Sequence, residues 1–416
     1  MTAPVRLLTF SSLYPNAAQP THGVFVETRL RQLLASGQAR STVLAPVPWF
    51  PSAAPAFGAW SVFARAPMSE LRHGISVHHP RFAVIPRVGM SLAPWLLFRA
   101  ALPAARRLLA GGVRFDAIDA HYVYPDGVAA VWLGEALDRP VVITARGTDV
   151  NLIPNFAGPR RLIRAAIARA AALVAVSGAL AEALGGLGAR PDQVSVLRNG
   201  VDTSLFRPPA DRAAARAALG LVGPTLISVG HLIARKGHDL AIAALADLPG
   251  WSLLIVGDGP ERARLAALAA RAGLASRVRL LGARPQAELP ALYGAADVLV
   301  LASSREGWAN VLLEAMACGT PAVASDIPGN PEVVRAPEAG RIVTRTPAAI
   351  AAGVCDLSAA APGRAATRAY AERFGWGPTT AGQLDLFRRV IAAAQAAPPL
   401  APPGCRLPAV HSADGR

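Results

Sequence analysis

Two carboxylates eight residues apart mark the stretch of this chain best equipped for chemistry. Glu306 stands in Ser303-Ser304-Arg305-Glu306-Gly307-Trp308-Ala309-Asn310, and Glu314 follows within the apolar run Val311-Leu312-Leu313-Glu314-Ala315-Met316. An apolar, strand-like run at 296–301 precedes them, Gly319 closes the helical pattern, and Pro321 opens the next apolar run. The order is strand, polar turn, helix, strand, the setting in which backbone N–H groups at a helix start meet phosphate. A glutamate on a helix is ordinarily just a solvated charge. Glu314 departs from that pattern, because no Lys or Arg stands three or four residues away to pair with it.

The cation that such a site needs is marked by rarity. Of 42 basic residues, one is lysine, Lys236, and the other 41 are arginine. Arginine is a planar fork and lysine a compact point charge, so a single surviving lysine points to a tight phosphate contact that arginine does not serve. Arg235 stands beside it in Gly230-His231-Leu232-Ile233-Ala234-Arg235-Lys236-Gly237. No Asp-x-Asp pair occurs in the chain, so no carboxylate-held cation is expected to carry a diphosphate. The run Gly257-Asp258-Gly259-Pro260 lacks the third glycine of the dinucleotide fingerprint, which argues against a nicotinamide enzyme.

These residues need a frame, and the chain supplies a repeated one. Short β-branched runs alternate with helical patterns at 5–10, 41–45, 117–121, 141–145, 173–177 and 194–197, and again at 225–230, 252–257, 278–282, 297–301 and 321–324. Such alternation predicts βαβ units and parallel sheets covered on both faces. With 416 residues, two domains are expected, 1–202 and 203–375, with the break near Phe206-Arg207-Pro208-Pro209. Ligands in such sheets bind beyond the carboxyl ends of the strands, so the cleft between the domains is the expected site. Two polar clusters directly after strands should face it: His121-Tyr122-Val123-Tyr124-Pro125-Asp126 and Arg146-Gly147-Thr148-Asp149-Val150-Asn151. Thr148 and Asp149 of the second cluster, together with Asn199, are expected to line this cleft. Gly23, in the first βα loop, is a candidate for close backbone approach to phosphate.

Composition bounds the remaining choices. Cys318, Cys355 and Cys405 have no paired spacing, so neither a zinc site nor a disulfide framework is expected, and a reducing cytosol suits them. No signal peptide or membrane span is expected. The net charge of +15 is concentrated in two acid-free stretches. One, 71–115, carries seven arginines among Phe82, Trp95, Leu97 and Phe98; the other, 150–181, carries Arg160, Arg161, Arg164 and Arg169. Basic residues beside aromatics suit an anionic membrane surface as well as an ordinary solvated face. With no recognised nucleic-acid module, no nucleic-acid partner is expected. The Pro-rich end, 396–416, is expected to be disordered.

Taken together, these motifs resemble the family 4 glycosyltransferases, retaining enzymes of the GT-B fold. The resemblance rests on Glu306 and Glu314, on Arg198-Asn199-Gly200-Val201-Asp202, on Lys236-Gly237 and on Val256-Gly257-Asp258-Gly259-Pro260-Glu261. The segment Tyr14-Pro15-Asn16 with Gly23-Val24-Phe25-Val26 is similar to members that build exopolysaccharides. It implies two Rossmann-like domains, the first for the acceptor and the second for a nucleotide-diphosphate sugar, with the helices at 376–395 crossing back onto the first. It also implies roles. Glu306 would hold hydroxyls of the donor sugar, Glu314 the ribose, and the amides of Gly307, Trp308, Ala309 and Asn310 the diphosphate. Lys236 would neutralise the leaving group, Gly23 would lie near the phosphates, and His121 would line the sugar side, which makes Glu306, His121 and Lys236 the expected catalytic set. A helix over the eight residues from Glu306 to Glu314 would rise about 12 Å, the span from sugar to ribose. Many members carry Arg where His231 stands, so Arg235 is left to replace it.

The expectation is a cytoplasmic, metal-independent, retaining glycosyltransferase that acts on a glycan or lipid-linked acceptor at the inner membrane face. It needs no cofactor beyond its sugar-nucleotide co-substrate, and a front-face mechanism is implied. Two rivals stand beside it: a sugar-nucleotide epimerase of the same fold, and a non-catalytic component of a glycan assembly complex.

Overall fold

The computed structural model describes residues 3–84 and 89–396. Its first sheet has eight strands. They are β1 (Val5–Phe10), β2 (Ala39–Leu44), β4 (Ser69–Arg72), β5 (Ile75–His78), β7 (Ala117–His121), β8 (Val141–Ala145), β9 (Ala172–Ala175) and β10 (Val194–Val196). They lie in the order β10-β9-β8-β7-β1-β2-β5-β4, parallel except for the β4–β5 hairpin. A short pair, β3 (Val47–Pro48) and β6 (Arg81–Phe82), stands beside it. The second sheet holds β11 (Thr225–Val229), β12 (Ser252–Val256), β13 (Val278–Gly282), β14 (Val298–Leu301), β15 (Ala322–Ser325) and β16 (Gly340–Val343). Its order, β13-β12-β11-β14-β15-β16, is the doubly wound arrangement, with the crevice at the β11–β14 switch point. Every residue of β7, β8, β9, β11, β14 and β15 is buried. Parallel strands sandwiched between helices have no face left for water, which is why their sequences are continuous apolar runs.

The strands β3, β4, β5, β6 and β16 were not expected from the sequence. The β4–β5 hairpin turns at His73-Gly74, both with positive φ. Its side chains are mixed polar and apolar because it lies at the sheet edge.

The chain crosses between the two sheets twice. After β10 it passes through Arg198–Asp202, and near its end it returns through Phe374–Trp376 into the helix Trp376–Ala396. That helix lies on the helix Val24–Ala35 and on β1 and β7, and Leu384, Phe387 and Val390 join the core of Val5, Leu7 and Val142. The crossings are bonded to each other: Val201 N donates to Phe374 O at 2.9 Å. A Cβ on Gly200 would lie 2.7 Å from Trp376 N, so only glycine fits there. Arg368 clamps the same place by donating to the carbonyls of Thr203, at 2.9 Å, and Ala317, at 2.6 Å. The tail expected to be disordered lies, beyond Ala396, outside the described residues.

Candidate active site

A cleft of about 700 Å³ opens between the carboxyl ends of the two sheets. Its second-domain wall begins where β11 ends. His231 points to solvent, and the chain makes one tight turn, Ala234–Lys236, before Gly237 at φ 69° starts the next helix. The turn sends Arg235 and Lys236 into the cleft. Lys236 Nζ donates to Glu306 Oε1 at 2.7 Å, and Ser303 Oγ donates to the same oxygen at 2.7 Å. Arg235 Nη1 donates to the Arg305 carbonyl at 2.7 Å and lies 3.5 Å from Glu306 Oε2. Burial pushes the Glu306 carboxyl upward, but Lys236, Arg235 and Ser303 more than offset it and hold it below its ordinary range. Glu306 is therefore an anion wedged between two cations.

Glu314 also lines the cleft, and Tyr293 Oη donates to its Oε2 at 2.8 Å. Burial raises its carboxyl to about 7, against the opposing pull of Tyr293 and Lys236. The spacing between the two glutamates differs from expectation. The helix runs Asn310–Ala317, and Ala309 has φ −85° and ψ 87°. Only the last turn before Glu314 is helical, a rise of about 6 Å; the rest of the separation is loop. The loop is held open by packing: Gly307 presses on the Arg146 carbonyl, and Trp308 packs between Phe374 and the Arg198 guanidinium.

The first-domain wall departs further from the sequence reading. His121 does not face the cleft. It is buried, its Nε2 is 3.1 Å from Asp119 Oδ2, and its Nδ1 is 2.8 Å from Arg146 Nη2. Asp149 is also fully buried and faces the backbone, where it accepts from Val123 N at 2.7 Å, Gly147 N at 2.7 Å and Arg146 N at 3.1 Å. It is a clamp for two loops, not a lining residue. Gly23 caps the helix Val24–Ala35 at φ 69°, with the Leu13 carbonyl filling the place of a Cβ; Leu13 and Val24 line the cleft, and Gly23 does not. Thr148 and Asn199 do line it.

Two of the lining residues without an assigned role in the sequence reading stand out. Tyr122 has φ 83°, an uncommon conformation for a bulky residue. Its N–H is held by Thr144 O at 2.9 Å and its carbonyl by Gly127 N at 2.9 Å. Arg146 is the other. For Tyr122 the signal was strand parity: residues 119 and 121 share one face of β7, and Tyr122 must turn the opposite way.

The walls touch directly. Gly147 and Gly307 meet backbone to backbone, and a Cβ on Gly307 would lie 1.9 Å from Arg146 O. Asn199 Nδ2 donates to Asn310 Oδ1 at 3.2 Å. Farther out, Glu332 accepts from Gly178 N and Ala179 N, both at 3.0 Å, and pairs with Arg198 at 2.6 Å. Arg198 and Asn199 of the second motif thus tie the domains together, and Gly200 lets the crossings approach.

The arginine-rich stretches divide. Arg72 is paired with Glu27 at 2.8 Å and Arg81 with the carbonyls of Phe63 and Ala66, whereas Arg87 lies outside the described residues. Arg99 lies 5.5 Å from the Trp95 ring, and Met90, Leu92, Trp95, Leu152 and Phe156 are exposed large apolar residues. Among the described residues no helix is long and apolar enough to cross a membrane, and no group of three or more His, Cys, Asp or Glu is placed to hold a metal ion.

Two doubly wound domains that face a shared cleft define the GT-B architecture. Comparison with known proteins agrees. The Glycosyltransferase Family 4 pattern matches residues 58–205, and the Glycosyl transferases group 1 pattern matches 211–374. By these two matches in tandem, the chain belongs to the glycosyltransferases. It is 37% identical over 226 residues to the D-inositol 3-phosphate glycosyltransferase of Segniliparus rotundus, which is 50% of each chain. The enzyme of that name from Mycobacterium tuberculosis is 37% identical over 219 residues, 49% of this chain and 45% of that one. The chain thus spans about half the length of the curated relatives it matches. Among solved structures, sucrose-phosphate synthase from Thermosynechococcus elongatus superposes with a TM-score of 0.75 at 22% identity, covering 94% of this chain and all of that one. Anabaena HepE, in complex with UDP and glucose, superposes at 0.69 with 23% identity, covering 93% of this chain and all of that one.

Proposed function

We propose that the protein moves a sugar from a nucleoside-diphosphate sugar to a glycan or lipid-linked acceptor in surface-polysaccharide assembly. Transfer would proceed with retention of configuration, without a metal ion, at the cytoplasmic face of the membrane. The observation that carries this reading is the meeting of Lys236, Arg235 and Glu306 in one cleft with Glu314, along the loop Gly307–Asn310. In it Glu306 takes sugar hydroxyls and Glu314 the ribose, while backbone amides around Asn310 meet the diphosphate at a helix start. Lys236 and Arg235 supply the charge that a metal would otherwise bring to the leaving group.

The bond from the anomeric carbon to the diphosphate oxygen breaks, and the acceptor oxygen bonds to that carbon on the same face. The acceptor proton passes to the departing phosphate oxygen. Glu306 is committed to Lys236 and Ser303 and is ionised, which suits hydroxyl binding better than proton donation. Contact between the domains excludes water and limits donor hydrolysis.

Support for membrane docking comes from the exposed Met90, Leu92 and Trp95 beside the helix Ala157–Arg169, where Ser91 Oγ sits 2.7 Å from where a Gly158 Cβ would be. That helix carries Arg160, Arg161 and Arg164 at the surface. Apolar residues rimmed by arginine match anionic headgroups. The central test is incubation with UDP-, GDP- and ADP-sugars and acceptor extracts, with the anomeric configuration of the product read by NMR. Retention in the presence of a chelator is expected. Inversion, or an epimerised donor without transfer, overturns the reading. Flotation with neutral and anionic liposomes tests docking, and equal recovery with both would remove it.

A further inference from the structure

The first-domain wall holds two cations that the proposed donor machinery does not use, the exposed Arg31 and Arg146, and Arg146 is the one built into a buried polar line. Arg146 follows β8 and lines the cleft. Its Nη2 donates to His121 Nδ1 at 2.8 Å, its Nη1 lies 3.4 Å from Asn199 Oδ1, and its guanidinium carbon lies 5.2 Å from the Phe25 ring centroid. Nε has no protein partner. Arginine only donates, so His121 Nδ1 accepts, and the imidazole proton sits on Nε2, donated to Asp119. Burial holds His121 below its ordinary range, so the ring is neutral and both nitrogens are occupied. The result is a line of carboxylate, imidazole and guanidinium, with only the guanidinium end open to the cleft.

The guanidiniums around this line are not fully paired. A second buried guanidinium, Arg29, donates to Asn199 Oδ1 at 3.0 Å and to Leu197 O at 2.9 Å, and its Nε and Nη2 have no partner. Asp119 is the carboxylate that faces both arginines, and its Oδ1 is unpartnered. Burial lowers Arg146 to about 9, with Arg29 adding to the shift, so it is still cationic at neutral pH. Asp149 also acts on Arg146, so both carboxylates lie buried behind the guanidiniums, and it is the Arg146 guanidinium that the cleft meets. A carboxylate or phosphate can take two parallel N–H bonds from a guanidinium, which a single sugar hydroxyl does not. The Arg146 backbone abuts Gly307, so the charge stands at the Glu306 end of the cleft.

We propose that Arg146 binds a carboxylate or phosphate on the ligand near the reacting carbon, and that Asp119 and His121 are its positioning residues. This rests on the glycosyl-transfer reading and names the chemistry its ligand must carry. The anion has two sources, the transferred sugar (a hexuronate) or the acceptor.

Calorimetry first selects the best-bound nucleoside diphosphate among UDP, GDP and ADP. One arm compares its hexose and hexuronate conjugates. The other, with that diphosphate saturating, compares glucose with glucuronate and glucose 6-phosphate. In one arm the anionic probe should bind at least tenfold tighter than its neutral counterpart. Arg146→Gln and His121→Leu should abolish that preference. Arg146→Lys and His121→Asn, which keep a cation and an acceptor respectively, should retain part of it and guard against loss of fold. Affinity for the bare diphosphate should not change across the set. Absence of any anion preference in both arms, with diphosphate binding intact, overturns the proposal. So does a tenfold loss of bare diphosphate affinity in Arg146→Gln, which would assign the residue to the leaving group. If no diphosphate binds the wild type, the glycosyl-transfer reading itself fails, a different result from either.

Discussion

The two walls of the cleft are built in opposite ways. The second-domain wall is drawn from two turns: Arg235 and Lys236 come from one βα turn, Ser303 through Glu314 from another, and their partners are one another. The first-domain wall is drawn from more of the chain. Arg146 depends on Phe25, Asp119, His121 and Asn199, which come from three other places in the chain. A wall of the first kind is recognised as a motif and tolerates change around it. A wall of the second kind concentrates its polar groups out of sight and shows the ligand only their last member.

Four experiments break or sharpen this contrast. The largest effect is expected from Lys236→Ala, which removes the nearer of the two cations from Glu306. Transfer turnover should fall by about two to three orders of magnitude, and unchanged steady-state rates would remove its role. Next comes Gly307→Ala, which pushes the walls apart at the Arg146 carbonyl without altering any charge. A displacement near 1 Å is worth about a hundredfold in rate, and solution scattering should show a wider particle with an intact fold. Asp149→Ala acts on the first wall alone. It leaves the N–H groups of Val123, Arg146 and Gly147 without their acceptor and should cost on the order of 3 kcal/mol in denaturant unfolding.

The smallest effect, and the one with a pH signature, belongs to Glu314. Its carboxyl rises from an ordinary 4.5 to about 7 on folding. The folded chain therefore holds a proton that the unfolded chain releases across that window, so this contribution to stability is full below pH 4.5, declines as pH rises, and is gone above 7. Glu314→Gln should match the wild type at pH 4 and exceed it at pH 8 by at most about 3 kcal/mol, while weakening nucleotide binding. Parallel pH–stability curves for the two proteins would refute the shift.

Much of the fold was legible because parallel strands buried on both faces leave continuous apolar runs, as in β8, β11 and β14. The edge hairpin β4–β5 left no such run and was read as part of a basic stretch. Arg72 looked unpaired there only because Glu27, its partner, is 45 residues away. At the site, the second-domain wall was readable down to Lys236, since turn chemistry and motif spacing are sequence properties. His121 was placed by the strand-end rule alone, which says where a residue sits but not which way it points. Alternation along β7 sets that direction and pairs His121 with Asp119. The early start assigned to the Asn310–Ala317 helix failed for a related reason: the residues from Gly307 to Ala309 are shaped by the other domain, not by their own propensity.

The paired crossings at Gly200–Val201 and Phe374–Trp376 carry a mechanical consequence. Because the helix Trp376–Ala396 packs back on the first domain, the second is joined to it by two bonded crossings, as a door is by a pair of leaves on one pin. Such a joint swings about a single axis and resists twist and sideways slip. Each closing stroke would then bring Gly307 back to Gly147 in the same register, so alignment of the two walls is set by the joint and does not have to be found anew by the ligand.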